Sequence, residues 1–249
     1  MKIAVCIKRV VDMETRFKIA ADGASVDEAG LKFDISDFDG YAVEAALQLV
    51  EKRGGETVAI SVGPNVVQEA IRKALSMGVD RGIHLKADKV PADGLAIARA
   101  LAAELRGAGY DLILFGRMSI DASNQTVGPM TAELLDLPCV SAVSKLEIGE
   151  GSGTARRELE GAAELVRFPL PAVVTIDEGV ARPRYPSLKG IMAAKKKPLE
   201  SKPAELGEAR LSVRTLEFPA ERSAGRILGE GPAAVAELIR LLQTEAKVL

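Results

Sequence analysis

Residues 116–129 read Gly-Arg-Met-Ser-Ile-Asp-Ala-Ser-Asn-Gln-Thr-Val-Gly-Pro, a run of donors and acceptors dense enough to hold a phosphorylated ligand. The run follows an apolar segment, opens on Gly116 and leads into a helical pattern. Ser123 is a good N-cap, so the amides after it would face outward at the positive end of a helix dipole, a seat for phosphate. Asn124, Gln125 and Thr126 would add side-chain donors, and Asp121 could accept hydrogen bonds from a ribose diol. This is the chemistry of a nucleotide mono- or diphosphate. The same residues would equally well cap a helix and satisfy a loop, so spacing alone leaves the two readings level. No GxGxxG follows the first apolar segment, where Cys6-Ile7-Lys8-Arg9 stands, and no GxxxxGK[ST] occurs anywhere. The usual dinucleotide and P-loop arrangements therefore lose ground.

Other reactive groups are sparse. The single histidine, His84, lies in an apolar segment and reads as a satisfied core residue rather than a base. Cys6 and Cys139 are far apart and have no partner at metal-ligand spacing, which points to no metal site and a reducing compartment. No catalytic constellation emerges. Thirty-three basic and 35 acidic residues give a net charge of -2, so no overall field favours nucleic acid. The strand-like opening MKIAVCIKRV resembles neither a signal nor a transit peptide. No apolar run reaches the roughly 20 residues that span a bilayer, and a cytoplasmic location is expected.

The elements that must position the loop come from hydrophobic period. Strand patterns at residues 2–7, 57–62, 82–86 and 111–115 alternate with helical patterns at 41–52, 66–77, 94–105 and 124–135. Four strand and helix units in succession predict an α/β fold with a doubly wound, mostly parallel, Rossmann-like sheet. Such sheets bind ligands at the carboxyl ends of their strands, where connections diverge to opposite faces. Strand-like segments at 140–148, 165–168 and 172–176 are expected to extend the sheet, some of them antiparallel. From residue 182 onward the chain turns Pro-, Lys- and Glu-rich and regains a helical period only at 233–242. Two regions follow: a nucleotide-binding domain at 1–181, and at 182–249 a loop with an extended C-terminal arm suited to wrapping a partner.

Five segments in order, VCIKRVVD, YAVEAALQL, ALSMGVDRGIHL, IDASNQTVGPMTAELL and LPAVVTIDEGVARPRYPSLKGIMAAKKKP, resemble the electron-transfer flavoprotein beta subunit. The resemblance covers nearly the whole chain to about residue 198. It implies a heterodimer in which an alpha subunit carries most contacts to a redox-active FAD, while the beta subunit holds AMP and walls one side of the flavin. It implies that Cys6, Ser36, Phe38, Val62, Gly63, Gly116, Asp121, Asn124, Gln125 and Thr126 contact cofactor. The segment from Ala181 to Lys197 resembles the family's recognition loop. By that likeness Leu188 anchors partner dehydrogenases, such as acyl-CoA dehydrogenases, supported by Tyr185, Ile191, Met192, Lys195, Lys196 and Lys197. An isolated leucine is more often packed under its own loop, and three lysines are more often a solvated face. Two departures concern the flavin side: Met13 stands where many members have an aromatic, and Ser36-Asp37 where many have asparagine and proline. Phe38 keeps an aromatic there.

The resemblance implies an electron carrier rather than an enzyme. One alternative is a bifurcating member that binds a second FAD in place of AMP and takes electrons from NADH. Val127-Gly128-Pro129 is similar to that form and Asn124-Gln125-Thr126 to the AMP form. A reading of another class is a stand-alone ATP-binding enzyme on the same sheet, which lacks an evident glycine loop after the first strand.

Overall fold

The computed structural model describes every residue except Met13, Arg222 and Ser223; the expected departure at Met13 lies outside the described residues. The chain divides into two compact units, Met1–Thr215 and Leu216–Leu249.

In the first unit, β1 (Lys2–Cys6) is a buried apolar run, as a strand covered on both faces requires. A short antiparallel ribbon of β2 (Arg9–Val11) and β3 (Phe33–Ile35) follows. Then come α1 (Asp37–Arg53), β4 (Glu56–Gly63), α2 (Gln68–Met77), β5 (Arg81–Lys86), α3 (Gly94–Leu105), β6 (Leu112–Gly116) and α4 (Val127–Leu135). Beyond these lie β7 (Cys139–Ile148), β8 (Ser152–Leu159), β9 (Ala162–Pro169), β10 (Ala172–Ile176), α5 (Leu188–Ala194) and β11 (Leu199–Pro203).

Nine strands form one sheet in the order β11-β5-β4-β1-β6-β10-β7-β8-β9. It is parallel from β11 to β7, and β7, β8 and β9 pair antiparallel in succession. The doubly wound α/β class expected from the alternating pattern is the fold observed. One face buries Ile3, Val5, Ala59, Leu112 and Leu114 with Ala42, Val43 and Ala46 of α1 and Ile71 and Leu75 of α2. The other buries Ala4, Val58, Ile60, Ile83 and Ile113 with Leu101 and Leu105 of α3 and Ala132 of α4. Alternate residues of each strand thus feed the two layers, as a period of two demands.

The chain winds outward from β1 through β4 to β5, then returns across β1 to place β6 on its other side. Connections diverge between β1 and β6, and that gap is the switch point at which such sheets open a crevice.

Several elements depart from the expected pattern. Residues 172–176 join the sheet as expected, but as the inserted parallel strand β10 between β6 and β7. Residues 199–203, expected in a partner-wrapping arm, form the parallel edge strand β11 on β5. The Lys202 ammonium of β11 pairs with Glu104 of α3 at 3.0 Å. With β11 in the sheet, the first compact unit runs on to Thr215. In the second unit, a 3-10 turn at Pro232–Ala234 leads into α6 (Val235–Leu241). Arg240 there pairs with Glu237, and Arg226 with Glu245.

Candidate functional site

At the carboxyl ends of β1 and β6 the chain opens a cavity of about 170 Å³. Its walls come from the ends of β1, β4 and β6, the loop before α3, and residues 116–128. Cys6, Val62, Gly116, Asn124, Gln125 and Thr126 line it, joined by Lys8, Asp39, Arg117 and Ser119. The inner wall is apolar, with Phe115, Ile97 and Leu101, and the rim is polar. Among the described residues no group of three or more His, Cys, Asp or Glu side chains could hold a metal.

Asp39, in the first turn of α1, sits at the switch point. It is 6% exposed. Its Oδ2 accepts the Lys8 amide at 2.7 Å and its Oδ1 the Gly116 amide at 3.0 Å, so one carboxyl ties the loop after β1 to the loop after β6. Burial pushes its pKa up to about 7, against the two amide bonds and the Lys8 charge, which favour the ionised form. Gly116 makes this approach possible. A Cβ there would lie 2.4 Å from the Asp39 carboxylate and 2.6 Å from the α1 backbone.

Ion pairs brace the rim. The Lys8 ammonium reaches Asp121 at 2.7 and 2.8 Å and Ser119 Oγ at 3.4 Å. Arg117 donates to Asp177 at 2.7 Å and to Gln125 Oε1 at 3.3 Å. Cys6 is an inert wall residue, since burial drives its thiol pKa well up.

The polar loop differs from its sequence expectation. Ser123 and Gln125 both adopt left-handed backbone, at φ 53° and 56°, so the helix cannot begin at 124. It starts at Val127, with Thr126 as the N-cap residue and no capping side chain. Ser123 is therefore not the cap. Asp121 lies outside the cavity wall, where both of its oxygens accept from Lys8 rather than pointing inward for a diol.

Three other expected contacts also lie off the wall. Ser36 Oγ donates to the Met118 carbonyl and accepts the Ile120 amide, both at 3.3 Å, and so supports the loop from behind. The Gly63 carbonyl accepts from His84 Nε2 at 2.8 Å. With Nδ1 held by Gln68 and Ser201, His84 is a fully satisfied buried group. Phe38 meets Tyr41 edge to face at 6.0 Å.

The segment from Ala181 to Lys197 crosses α1 and α2 on its way to β11. Arg184 clamps the buried Glu44 at 2.8 Å and also Glu51. Burial raises the Glu44 carboxyl pKa, but the guanidinium more than offsets this and holds it below the usual carboxylate range. Ser187 caps α5 through the Gly190 amide. At its tip Tyr185 is 96% exposed and Leu188 85% exposed, with Ile191 and Met192 also outward. Leu188 is not packed under its own loop. Lys195 and Lys196 are exposed. Lys197 is not part of that open face, because its ammonium donates to the carbonyls of Leu75, Gly78 and Val79 at the end of α2.

Asp39, Lys8, Arg117 and Arg184 escaped the sequence reading. Each acts on a partner at least 31 residues away in the chain, and none carries a local motif. Only the order of the strands brings β1 beside β6.

The sequence matches the model of the Electron transfer flavoprotein domain over residues 24–206. Curated relatives named "Electron transfer flavoprotein subunit beta" align along the chain. One from Bacillus subtilis (strain 168) is 39% identical over all of both chains. One from Bradyrhizobium diazoefficiens is 40% identical over all of both. One from Homo sapiens is 39% identical over 90% of this chain and 91% of its own. With the doubly wound sheet and the cavity at its switch point, this likeness is decisive, and the chain belongs to the electron transfer flavoprotein family as a beta subunit.

Proposed function

We infer that this chain is the nucleotide-holding and docking half of a two-subunit flavin electron carrier. The observation that carries the reading is the cavity between the ends of β1 and β6, apolar within and polar at its rim. Such a gradient suits a nucleoside monophosphate, with the base against Phe115, Val62 and Cys6 and the phosphate toward Asn124, Gln125 and Thr126. The amides of Val127 and Gly128 at the start of α4 would add donors at that end, Pro129 having none. The donor set therefore fits AMP. FAD would be shared with an alpha subunit, which supplies most of its contacts, and its isoalloxazine would accept and pass the electrons. Phe38 and Tyr41 form the aromatic corner beside the α1 N-terminus that such a flavin would meet.

The outward Tyr185, Leu188, Ile191 and Met192, with Lys195 and Lys196, would dock dehydrogenases. A small apolar anchor ringed by polar groups suits a transient complex. The unit at residues 216–249, with Val235, Leu238 and Ile239 exposed on α6, would embrace the alpha subunit. No proton-transferring side chain is needed, since electrons pass by proximity.

The test is to co-produce the chain with its alpha subunit, denature the complex, and identify and count what is released. One FAD and one AMP per heterodimer are expected. Two FAD and no AMP would replace this reading by the bifurcating one, and ATP turnover by the chain alone would replace it by an enzyme. For docking, Leu188→Ala should slow electron delivery from a dehydrogenase and leave the flavin spectrum unchanged. An unaltered rate removes Leu188 from the docking face.

A further inference from the structure

Among the described residues two cations line the cavity, Lys8 and Arg117. Arg117 is committed elsewhere, with one nitrogen on Asp177, another on Gln125, and its backbone amide on the Ile176 carbonyl. Lys8 is different. It leaves the end of β1, where its amide is pinned by Asp39, and carries its ammonium across the switch point to the loop after β6. Its partner Asp121 is more than a third exposed and stands outside the cavity wall. Solvent therefore screens the pair, which leaves it weaker than a buried one. An ammonium has three donor hydrogens on one rotatable head; two can stay on the Asp121 oxygens, and the third reaches Ser119 Oγ only at 3.4 Å, a long contact that an anion can replace. The acid in the cavity wall is Asp39, whose carboxyl is already engaged by the Lys8 and Gly116 amides and whose pKa burial pushes up to about 7, so the wall offsets the cation only in part. The other ionisable group in that wall, Cys6, is a buried thiol whose pKa lies well up.

We propose that Lys8 recognises the anionic end of the ligand in this cavity, and that Asp121 is a positioning residue holding its ammonium at the rim. The proposal rests on the nucleotide reading above and assigns the phosphate charge to a residue outside the loop at 116–128. It also gives Asp121 a role other than ribose binding: the carboxylate aims the lysine and need not touch the ligand.

The test uses the full chain co-produced with its alpha subunit, freed of bound nucleotide and titrated calorimetrically with AMP and with adenosine at low and moderate salt. Lys8→Gln should weaken AMP by about 10- to 100-fold, leave adenosine within about twofold, and flatten the salt dependence of AMP binding. Lys8→Arg keeps the charge and should recover most of the AMP affinity. Equal losses for AMP and adenosine would mean that Lys8 only braces the loop, and no loss for either would mean that it does not meet the anion; each overturns the assignment while leaving the nucleotide reading intact. Failure of the unaltered protein to bind AMP at all would overturn the nucleotide reading and this assignment with it.

Discussion

Asp39 offers a test of the switch point that needs no ligand. Its folded pKa is about 7 against an ordinary 3.8, so the native state holds a proton that the unfolded chain releases. A raised pKa contributes stability that is complete below the unfolded value and is lost as pH rises through the folded one. Applying that linkage to these two values gives a contribution on the order of 1 kcal/mol at pH 6 that falls to near zero by pH 8. Asp39→Asn removes the titration. It also presents an amide nitrogen to one of the two backbone donors of Lys8 and Gly116, at a cost of about 1–3 kcal/mol. Wild type should therefore be the more stable at pH 6, and its advantage should shrink by on the order of 1 kcal/mol at pH 8. Urea unfolding at several pH values measures this. The chain has no tryptophan, so far-ultraviolet circular dichroism is the suitable signal. A gap between wild type and variant that stays constant or widens with pH would refute the reasoning. It would show that the two amide bonds keep Asp39 ionised throughout and outweigh its burial.

Further outcomes follow from the same contacts. Arg184→Met strands the buried Glu44 carboxylate and should cost about 3 kcal/mol in urea unfolding; without the guanidinium, burial raises the Glu44 pKa, so the loss should be larger at pH 8 than at pH 5. Lys197→Met releases three carbonyls at the end of α2 and should cost about 2 kcal/mol, with faster hydrogen exchange over residues 74–80. Gly116→Ala forces a methyl into the α1 N-terminus and should cost about 2–3 kcal/mol together with any nucleotide the cavity holds, read by the ligand count after denaturation.

The parts of the fold legible in the sequence are those whose burial is continuous or periodic. β1, β4, β6 and β10 are apolar runs because both faces are covered, and α1 to α4 follow a 3.6-residue period. β8 was missed because Ala155 lies among charged neighbours in TARREL, as a strand with one open face allows. β11 carries no such signal because LESKP is an edge strand of mostly polar residues, none of them fully buried. At the site, the loop at 116–128 was visible from its composition, yet the helix start was placed early. Ser123 favours a cap by residue type, but its left-handed backbone, repeated at Gln125, belongs to the loop's path and carries no local signature. Asp39 and Lys8 carry no local signal, because what matters in each is a partner supplied by strand order.

The clamp at Arg184 and the three-carbonyl anchor at Lys197 bracket Leu188 from both sides, and β11 then fastens the chain to the sheet. A surface tip tethered this way is preorganised. A protein arriving at Tyr185 and Leu188 would not have to freeze a wandering loop before gaining contact, so little conformational entropy is lost on association. Four outward apolar side chains can then suffice for a brief encounter, and because the apolar area they offer is small, nothing in the loop would delay release once the encounter has served its purpose.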